Sequence, residues 1–211
     1  ALLENNYIID SKNLFFDRNK NEFYSSYKTK IKDNFGNIII LNKFKLYNSN
    51  KILKGSDATY IDNMKNKLNL KELMVDLKNN SFSGKDLNLE LYNATFGNPT
   101  NNPRMKGNVI YATENETQIS KGIFTTCKKT EKCPPWQVSA ETITHNKSKK
   151  IIDYKNAWLK IYDKPVLYFP YFFHPDPTVK RQSGFLMPSF QSSNNSGTSL
   201  QIPYYKVISD R

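Results

Sequence analysis

Lys164 to Pro188 reads KPVLYFPYFFHPDPTVKRQSGFLMP, an apolar and aromatic run punctuated by Pro165, Pro170, Pro175, Pro177 and Pro188. Without the prolines it would read as consecutive strands. Proline has no amide hydrogen to give a sheet ladder and is confined to edges, strand ends and bulges. The stretch therefore marks a place where pairing is interrupted by design. Outward from it, the 211-residue chain has room for one large or two small all-β domains and enough buried surface for an ordinary core. Tyrosine and phenylalanine stand at 13 each, and no segment keeps a 3.6-residue apolar period over several turns. No run of apolar residues is long enough for a membrane-spanning helix, whereas a barrel strand needs only about 9 to 11 alternating residues. The first residues, ALLENNYIID, show neither the basic nor the apolar region of an export signal.

Short polar turns recur upstream: Asp17-Arg18-Asn19-Lys20, Asp33-Asn34-Phe35-Gly36-Asn37, Asn48-Ser49-Asn50-Lys51, Asp62-Asn63-Met64-Lys65 and Asp76-Leu77-Lys78-Asn79. Their leading residues are 16, 15, 14 and 14 positions apart, the length of one strand plus a turn. Asn146-Lys147-Ser148-Lys149 resumes the pattern. Asp and Asn suit such slots because their side chains bond the backbone two residues on. Between the turns, apolar and polar residues alternate, as in Asp86-Leu87-Asn88-Leu89-Glu90-Leu91, Lys43-Phe44-Lys45-Leu46 and Asn156-Ala157-Trp158-Leu159-Lys160-Ile161. Stacked antiparallel rungs with one apolar face must fold over to bury it, as a sandwich, a jellyroll or a half-open solenoid.

From about residue 93 to 135 the pattern gives way to loops around a short hairpin, Gly107 to Ile123. Cys127 and Cys133 in this region suit a local disulfide in an oxidising compartment, worth about 2 kcal/mol by loop entropy. Two thiols without a nearby histidine pair make a poor zinc site, and no metal or other cofactor is expected. After the proline-rich run, Gly184 to Ser189 and Thr198 to Val207 have the length and mixture of barrel strands, separated by a turn-like Ser192 to Gly197. Pro188 and Pro203 each remove a ladder donor from this pair, weakening pairing by about 0.5 to 1.5 kcal/mol.

The formal charge of +12 points to an anionic partner, although the lysines are spread along the chain and the densest group, Lys147, Lys149, Lys150 and Lys155, lies around a turn. A nucleic-acid binder would predict steeply salt-dependent binding, and none is expected. A polysaccharide-cleaving enzyme on stacked rungs would use carboxylates such as Asp153, Asp163 and Asp176, which read instead as turn and junction groups. Neither His145, in a turn slot, nor His174 is placed as a base, so catalysis is not expected.

The proline-rich run resembles the junction segment of the LptD/OstA family of lipopolysaccharide-assembly outer-membrane proteins. The likeness is carried by Pro165-Val166, Tyr168, Pro170-Tyr171, His174-Pro175-Asp176-Pro177, Lys180-Arg181, Ser183-Gly184-Phe185-Leu186 and Pro188. It implies an all-β chain: stacked antiparallel rungs forming a twisted periplasmic β-jellyroll (1–163), a proline-rich junction (164–183) and the first two strands of a truncated outer-membrane β-barrel (184–211). The implied function is transport and assembly of lipopolysaccharide, its acyl chains lying in an apolar trough of Ile40, Phe44, Leu46, Leu70, Leu87, Leu89, Leu91, Val138, Leu159 and Ile161. Pro188 and Pro203 would loosen a lateral gate between barrel strands. Cys127 resembles a family cysteine that pairs with residues further along the chain, an alternative to Cys133. Implied partners are lipopolysaccharide, a periplasmic bridge protein of the same pathway, a plug lipoprotein inside the full barrel, and the outer membrane. A soluble periplasmic bridge protein is the runner-up, since it would share the jellyroll but have no use for the junction.

Overall fold

The computed structural model describes residues 2–3, 7–92, 102–127, 135–176, 179, 183–185, 189–193 and 197–208. Its strands are β1 (Leu2–Leu3), β2 (Tyr7–Ser11), β3 (Phe15–Asp17), β4 (Glu22–Ser25), β5 (Thr29–Lys32), β6 (Ile38–Leu41), β7 (Lys43–Tyr47) and β8 (Ile52–Ile61). The longer rungs follow as β9 (Lys67–Asp76), β10 (Ser81–Glu90), β11 (Arg104–Ala112), β12 (Glu116–Thr125), β13 (Trp136–Asn146), β14 (Ile151–Ile161) and β15 (Lys164–Pro175). Four short strands close the chain: β16 (Gly184–Phe185), β17 (Ser189–Ser193), β18 (Gly197–Gln201) and β19 (Tyr204–Tyr205). Strands β1 to β15 form one antiparallel sheet in which each long rung pairs with the next in sequence. The sheet is consistent with a jellyroll-like arrangement and does not close into a barrel. Residues 164–175, expected as the start of the junction, are its last rung. Strand β15 is an edge, the one place where Pro165, Pro170 and Pro175 can be carried without losing two ladders.

The sheet is creased along its length. In β8 the inward positions Gly55 and Ala58 are three apart, not two, because Ser56 and Asp57 both turn outward. The same slip recurs in register across the sheet. One inner column runs Gly55, Leu73, Gly84, Ile110, Ile119, Ile143, Tyr154 and Phe172, and the other runs Ala58, Leu70, Leu87, Gly107, Gly122, Ala140, Ala157 and Phe169. Between them on the outside lie Asp57, Lys71, Asp86, Asn108, Lys121, Glu141, Asn156 and Pro170, all exposed. Asp57, Asp86, Lys121 and Asn156, in alternate strands, have φ of 48, 52, 50 and 49°. A left-handed residue with a side chain costs about 1 to 2 kcal/mol, and here it redirects the strand so that both arms keep their apolar side within. Nearer the N-terminus the crease is a chain break: residues 12–14 separate β2 from β3, 26–28 separate β4 from β5, and Asn42 separates β6 from β7, with β6 and β7 pairing successive halves of β8.

The two arms meet in a single core running from Ile31 to Ala157. Small residues on one arm receive large ones from the other. A Cβ at Gly84 would stand 2.6 Å from Leu70 Cδ1, and one at Gly122 would stand 2.4 Å from Ile143 Cδ1. Each fully buried Leu, Ile or Phe here contributes about 1.5 to 3 kcal/mol. Where the first rungs change arms, Ser11, Ser25 and Thr29 satisfy one another: Ser11 Oγ and Ser25 Oγ lie 2.9 Å apart, and the wholly buried Thr29 Oγ1 donates to Ser11 Oγ at 2.9 Å.

The recurring Asp and Asn turns take the predicted form. Asp17 Oδ1 accepts from the amides of Asn19 and Lys20, Asp33 Oδ1 from Phe35 and Asn37, Asp76 Oδ1 from Lys78 and Asn79, and Asn146 Oδ1 from Lys149. Successive turns are also tied together. The amide of Asn63 donates to Asn37 Oδ1 at 3.2 Å, that of Tyr92 to Asn66 Oδ1 at 2.8 Å, and that of Leu77 to the Lys51 carbonyl at 3.0 Å.

Candidate functional site: the inner apolar surface and the last rung

Alternation with one phase slip puts the inward side chains of β8 to β15 on one face of the sheet, most of them buried in the two columns beside the crease and half-buried further from it. Among the sequence-predicted trough residues, Phe44, Leu46, Leu70, Leu87 and Leu159 are buried in the packed interior. Leu89, Leu91, Val138 and Ile161 are half-buried further from the crease on the arm that carries Ala58. Tyr60 and Trp136 accompany them, and Val75, Leu77, Phe82 and Ile152 form the corresponding rim of the other arm. Burial, with help from the carboxylates of Asp62 and Asp33, pushes the Tyr60 hydroxyl up to about 12. Ile40 stands elsewhere. It pairs with Thr59 on the outward side, while Ile39 and Leu41 point into the core, and it lines a shallow cleft with Asp10, Ser11, Lys12, Lys28 and Lys30.

The last three rungs hold a polar group that sequence reasoning missed. His145, Ile152 and His174 are cross-strand neighbours on β13, β14 and β15. His145 Nε2 lies 2.6 Å from Asp176 Oδ2, and His174 Nε2 lies 3.0 Å from the Tyr154 hydroxyl. Tyr154 is wholly enclosed and stacks on Phe172 at 4.4 Å between ring centroids. Burial lowers the His174 pKa and raises that of Tyr154. The three carboxylates weighed as catalytic have separate engagements: Asp153 accepts from the Tyr171 hydroxyl, Asp163 from Gln137 Nε2 at 2.6 Å, and Asp176 faces His145. Among the described residues no cluster of His, Cys, Asp and Glu could hold a metal.

Cys127 is half-buried, its Sγ 3.6 Å from the Trp136 carbonyl oxygen, and it is a free thiol. Cys133 and Pro188 lie outside the described residues. The chain beyond the sheet forms a hairpin in two segments, β16 with β19 and β17 with β18. Three residues, 186–188, separate the segments on the first arm and two, Ile202 and Pro203, on the second, so the ladders are offset by one residue. No helix among the described residues is long and apolar enough to cross a membrane, which bears only on helices.

Residues 152–211, from β14 through the hairpin, match the family described as LptD protein. The LPS-assembly protein LptD of Idiomarina loihiensis is 34% identical over 135 residues, 59% of this chain and 17% of that protein. Its counterpart in Pseudomonas fluorescens is 38% identical over 105 residues, 48% of this chain and 11% of the relative. That in Legionella pneumophila is 41% identical over 87 residues, 41% of this chain and 10% of the relative. The chain thus spans about a sixth or less of the length of these relatives, and the matches support an assignment to the LptD family over the segments they cover.

Proposed function

We propose that this chain takes part in the transport and assembly of lipopolysaccharide at the outer membrane, guiding acyl chains along the inner surface of the creased sheet toward a barrel that begins at Gly184. The observation that carries the reading is the row of half-buried apolar residues Leu89, Leu91, Trp136, Val138 and Ile161 on one arm, with Val75, Leu77 and Phe82 on the other, in a sheet whose last rung leads into a proline-bearing hairpin. Each methylene exposed to water costs about 0.8 kcal/mol, so a lipid with several long chains needs an unbroken apolar path across an aqueous compartment. Because Phe44, Leu46, Leu70, Leu87 and Leu159 are sealed in the core, the path follows the rims, with Leu89, Leu91, Val138 and Ile161 opposite Val75, Leu77 and Phe82. The arms part to admit the acyl chains while sugars and phosphates stay wet outside the mouth.

In this reading residues 1–175 are the periplasmic domain, and Pro188 and Pro203 weaken a seam of the barrel. The protein is an assembly factor, not an enzyme, in keeping with relatives named as assembly proteins, and its partners are lipopolysaccharide, a periplasmic bridge protein and a plug lipoprotein. Photo-crosslinking tests the proposal. A crosslinker at Leu89, Leu91 or Val138 is expected to yield a lipopolysaccharide adduct, and one at the outward Asn69 or Ser139 is not. Equal labelling of both sets would sink the inner path.

A further inference from the structure

The outer side of the sheet is polar with scattered apolar residues over its middle rungs and gathers aromatic rings on its last two. On β9 and β10 the outward residues include Asn69, Lys71, Glu72, Ser83, Lys85, Asp86 and Asn88, with Lys85 Nζ 2.8 Å from Glu72 Oε2, and on β13 they include Ser139, Glu141, Thr142 and Thr144; the exposed apolar residues Met74, Val109, Tyr111 and Ile123 on β9, β11 and β12 each stand between polar cross-strand partners. On β14 and β15 the outward positions hold Trp158, Tyr168, Tyr171 and Phe173, exposed to 41, 43, 55 and 37%. Single apolar residues among polar neighbours are ordinary on a protein surface, whereas four exposed aromatic rings gathered on the two terminal strands form a patch.

These rings form two pairs, one on either side of the crease. Trp158 and Tyr168 lie 5.0 Å apart between centroids, and Tyr171 and Phe173 lie 6.3 Å apart. Two of them are anchored at their polar tips: the Tyr168 hydroxyl donates to Asn156 Oδ1 at 2.8 Å, and that of Tyr171 to Asp153. Exposed Lys149 and Lys150 lie in the turn beside the end of β15, where the amide of Asp176 donates to the Lys150 carbonyl at 2.9 Å, and exposed Lys164 lies at its start. Amphipathic rings with a wet end, flanked by cations, match the layer between lipid headgroups and acyl chains, where Trp and Tyr concentrate and anionic lipids attract lysine. The chain then reaches its hairpin nine residues after Pro175.

We infer that the outer surface of the last two rungs, Trp158, Tyr168, Tyr171 and Phe173 with Lys149, Lys150 and Lys164, is a girdle that lies against anionic phospholipid headgroups at the membrane face next to the barrel. This rests on the reading of the hairpin as the opening of a membrane barrel, and the occupant is phospholipid, separate from the lipid carried on the inner surface.

The test uses the whole chain with Trp136→Phe, which leaves Trp158 as the sole tryptophan. It is mixed with phosphatidylethanolamine and phosphatidylglycerol vesicles brominated at the acyl carbons nearest the headgroup. Trp158 emission is expected to fall to about half, as for a ring at the interface. A companion chain carrying Trp136→Phe, Trp158→Phe and Met74→Trp reports from the outer face of β9 and is expected to stay bright. Equal quenching of the two reporters, or none in either, overturns the girdle. So does Trp158 becoming shielded only through self-association. Should Trp136→Phe fail to fold, the same quenching follows from the difference between the unmodified chain and Trp158→Phe. Replacing Lys149 and Lys150 with Gln, and Tyr171 and Phe173 with Thr, is expected to weaken vesicle binding about tenfold, and unchanged binding overturns the inference. Crosslinking at Leu89 is scored alongside: loss of the lipopolysaccharide adduct with Trp158 quenching intact refutes the inner path alone, and the reverse refutes the girdle alone.

Discussion

Gly122 sits where one arm of the sheet meets the other, and replacing it with alanine tests that packing directly. The added methyl would stand 2.4 Å from Ile143 Cδ1 and 2.9 Å from Ile143 Cγ1, against an ordinary carbon separation of about 3.5 to 4.0 Å. Ile143 is itself buried and has little room to retreat. Overpacking of this kind costs about 1 to 3 kcal/mol. The loss of a flexible glycine from the unfolded chain offsets about 0.4 to 1 kcal/mol. Gly122→Ala is therefore expected to destabilise the sheet by up to about 2.6 kcal/mol. Ile143→Val alone should cost about 0.5 to 1.5 kcal/mol through a lost methyl. Because valine lacks the Cδ1 atom responsible for the closest clash, the double variant should be more stable than the sum of the single effects by about 1 kcal/mol. Urea unfolding followed by tryptophan fluorescence measures all four proteins, with a constant m-value required. Additivity within about 0.5 kcal/mol, or a stabilised Gly122→Ala, would show that the arms do not interlock here.

Lys121 has a left-handed backbone, so Lys121→Val is expected to cost about 1 to 2 kcal/mol and Lys121→Gly to be neutral or slightly stabilising; equal effects in thermal melts would remove the crease from the account. His174 is held below its ordinary pKa by burial, with Tyr154, the Pro175 carbonyl, Asp176 and His145 around it. The unfolded chain then binds more protons than the folded one between the depressed value and about 6.5, so stability should fall on acidification through that window. A His174→Gln variant should show a shallower slope across the window in pH-dependent denaturation, and an unchanged slope would contradict it. Tyr154→Phe removes the partner of His174 Nε2 and is expected to destabilise by about 1 to 3 kcal/mol at pH 8. A neutral result would mean that water replaces the hydroxyl.

Much of the architecture was legible because turn chemistry is local. Asp17, Asp33, Asp62 and Asp76 cap their own loops, so the rung spacing could be read directly from the residues. The crease was not read, although its signature is present: Ser56-Asp57, Lys71-Glu72, Lys85-Asp86, Ser120-Lys121, Glu141-Thr142 and Lys155-Asn156 each interrupt the alternation with two successive polar residues. Assuming unbroken alternation gives the right face for either half of a strand but not the join between them. Ile40 went astray for a related reason, since the run Ile38-Ile39-Ile40-Leu41 is apolar throughout and period two cannot choose its inward residues. Proline spacing could not tell a linker from an edge strand, because an edge strand accepts proline as readily as a linker does, and residues 164–175 form the last rung. The Tyr154 and His174 pair depends on cross-strand register, which no local pattern reveals.

Left-handed residues mark β8, β10, β12 and β14 but not the rungs between them. The unit that repeats is therefore the hairpin. Lengthening the stack by one such unit adds about 9 to 10 Å and returns the chain to the same side of the mouth. An odd strand would send the polypeptide out on the opposite side, away from whatever follows it. Evolution can thus adjust the reach of this molecule only in paired increments, and the distance it bridges is set by whole hairpins rather than tuned residue by residue.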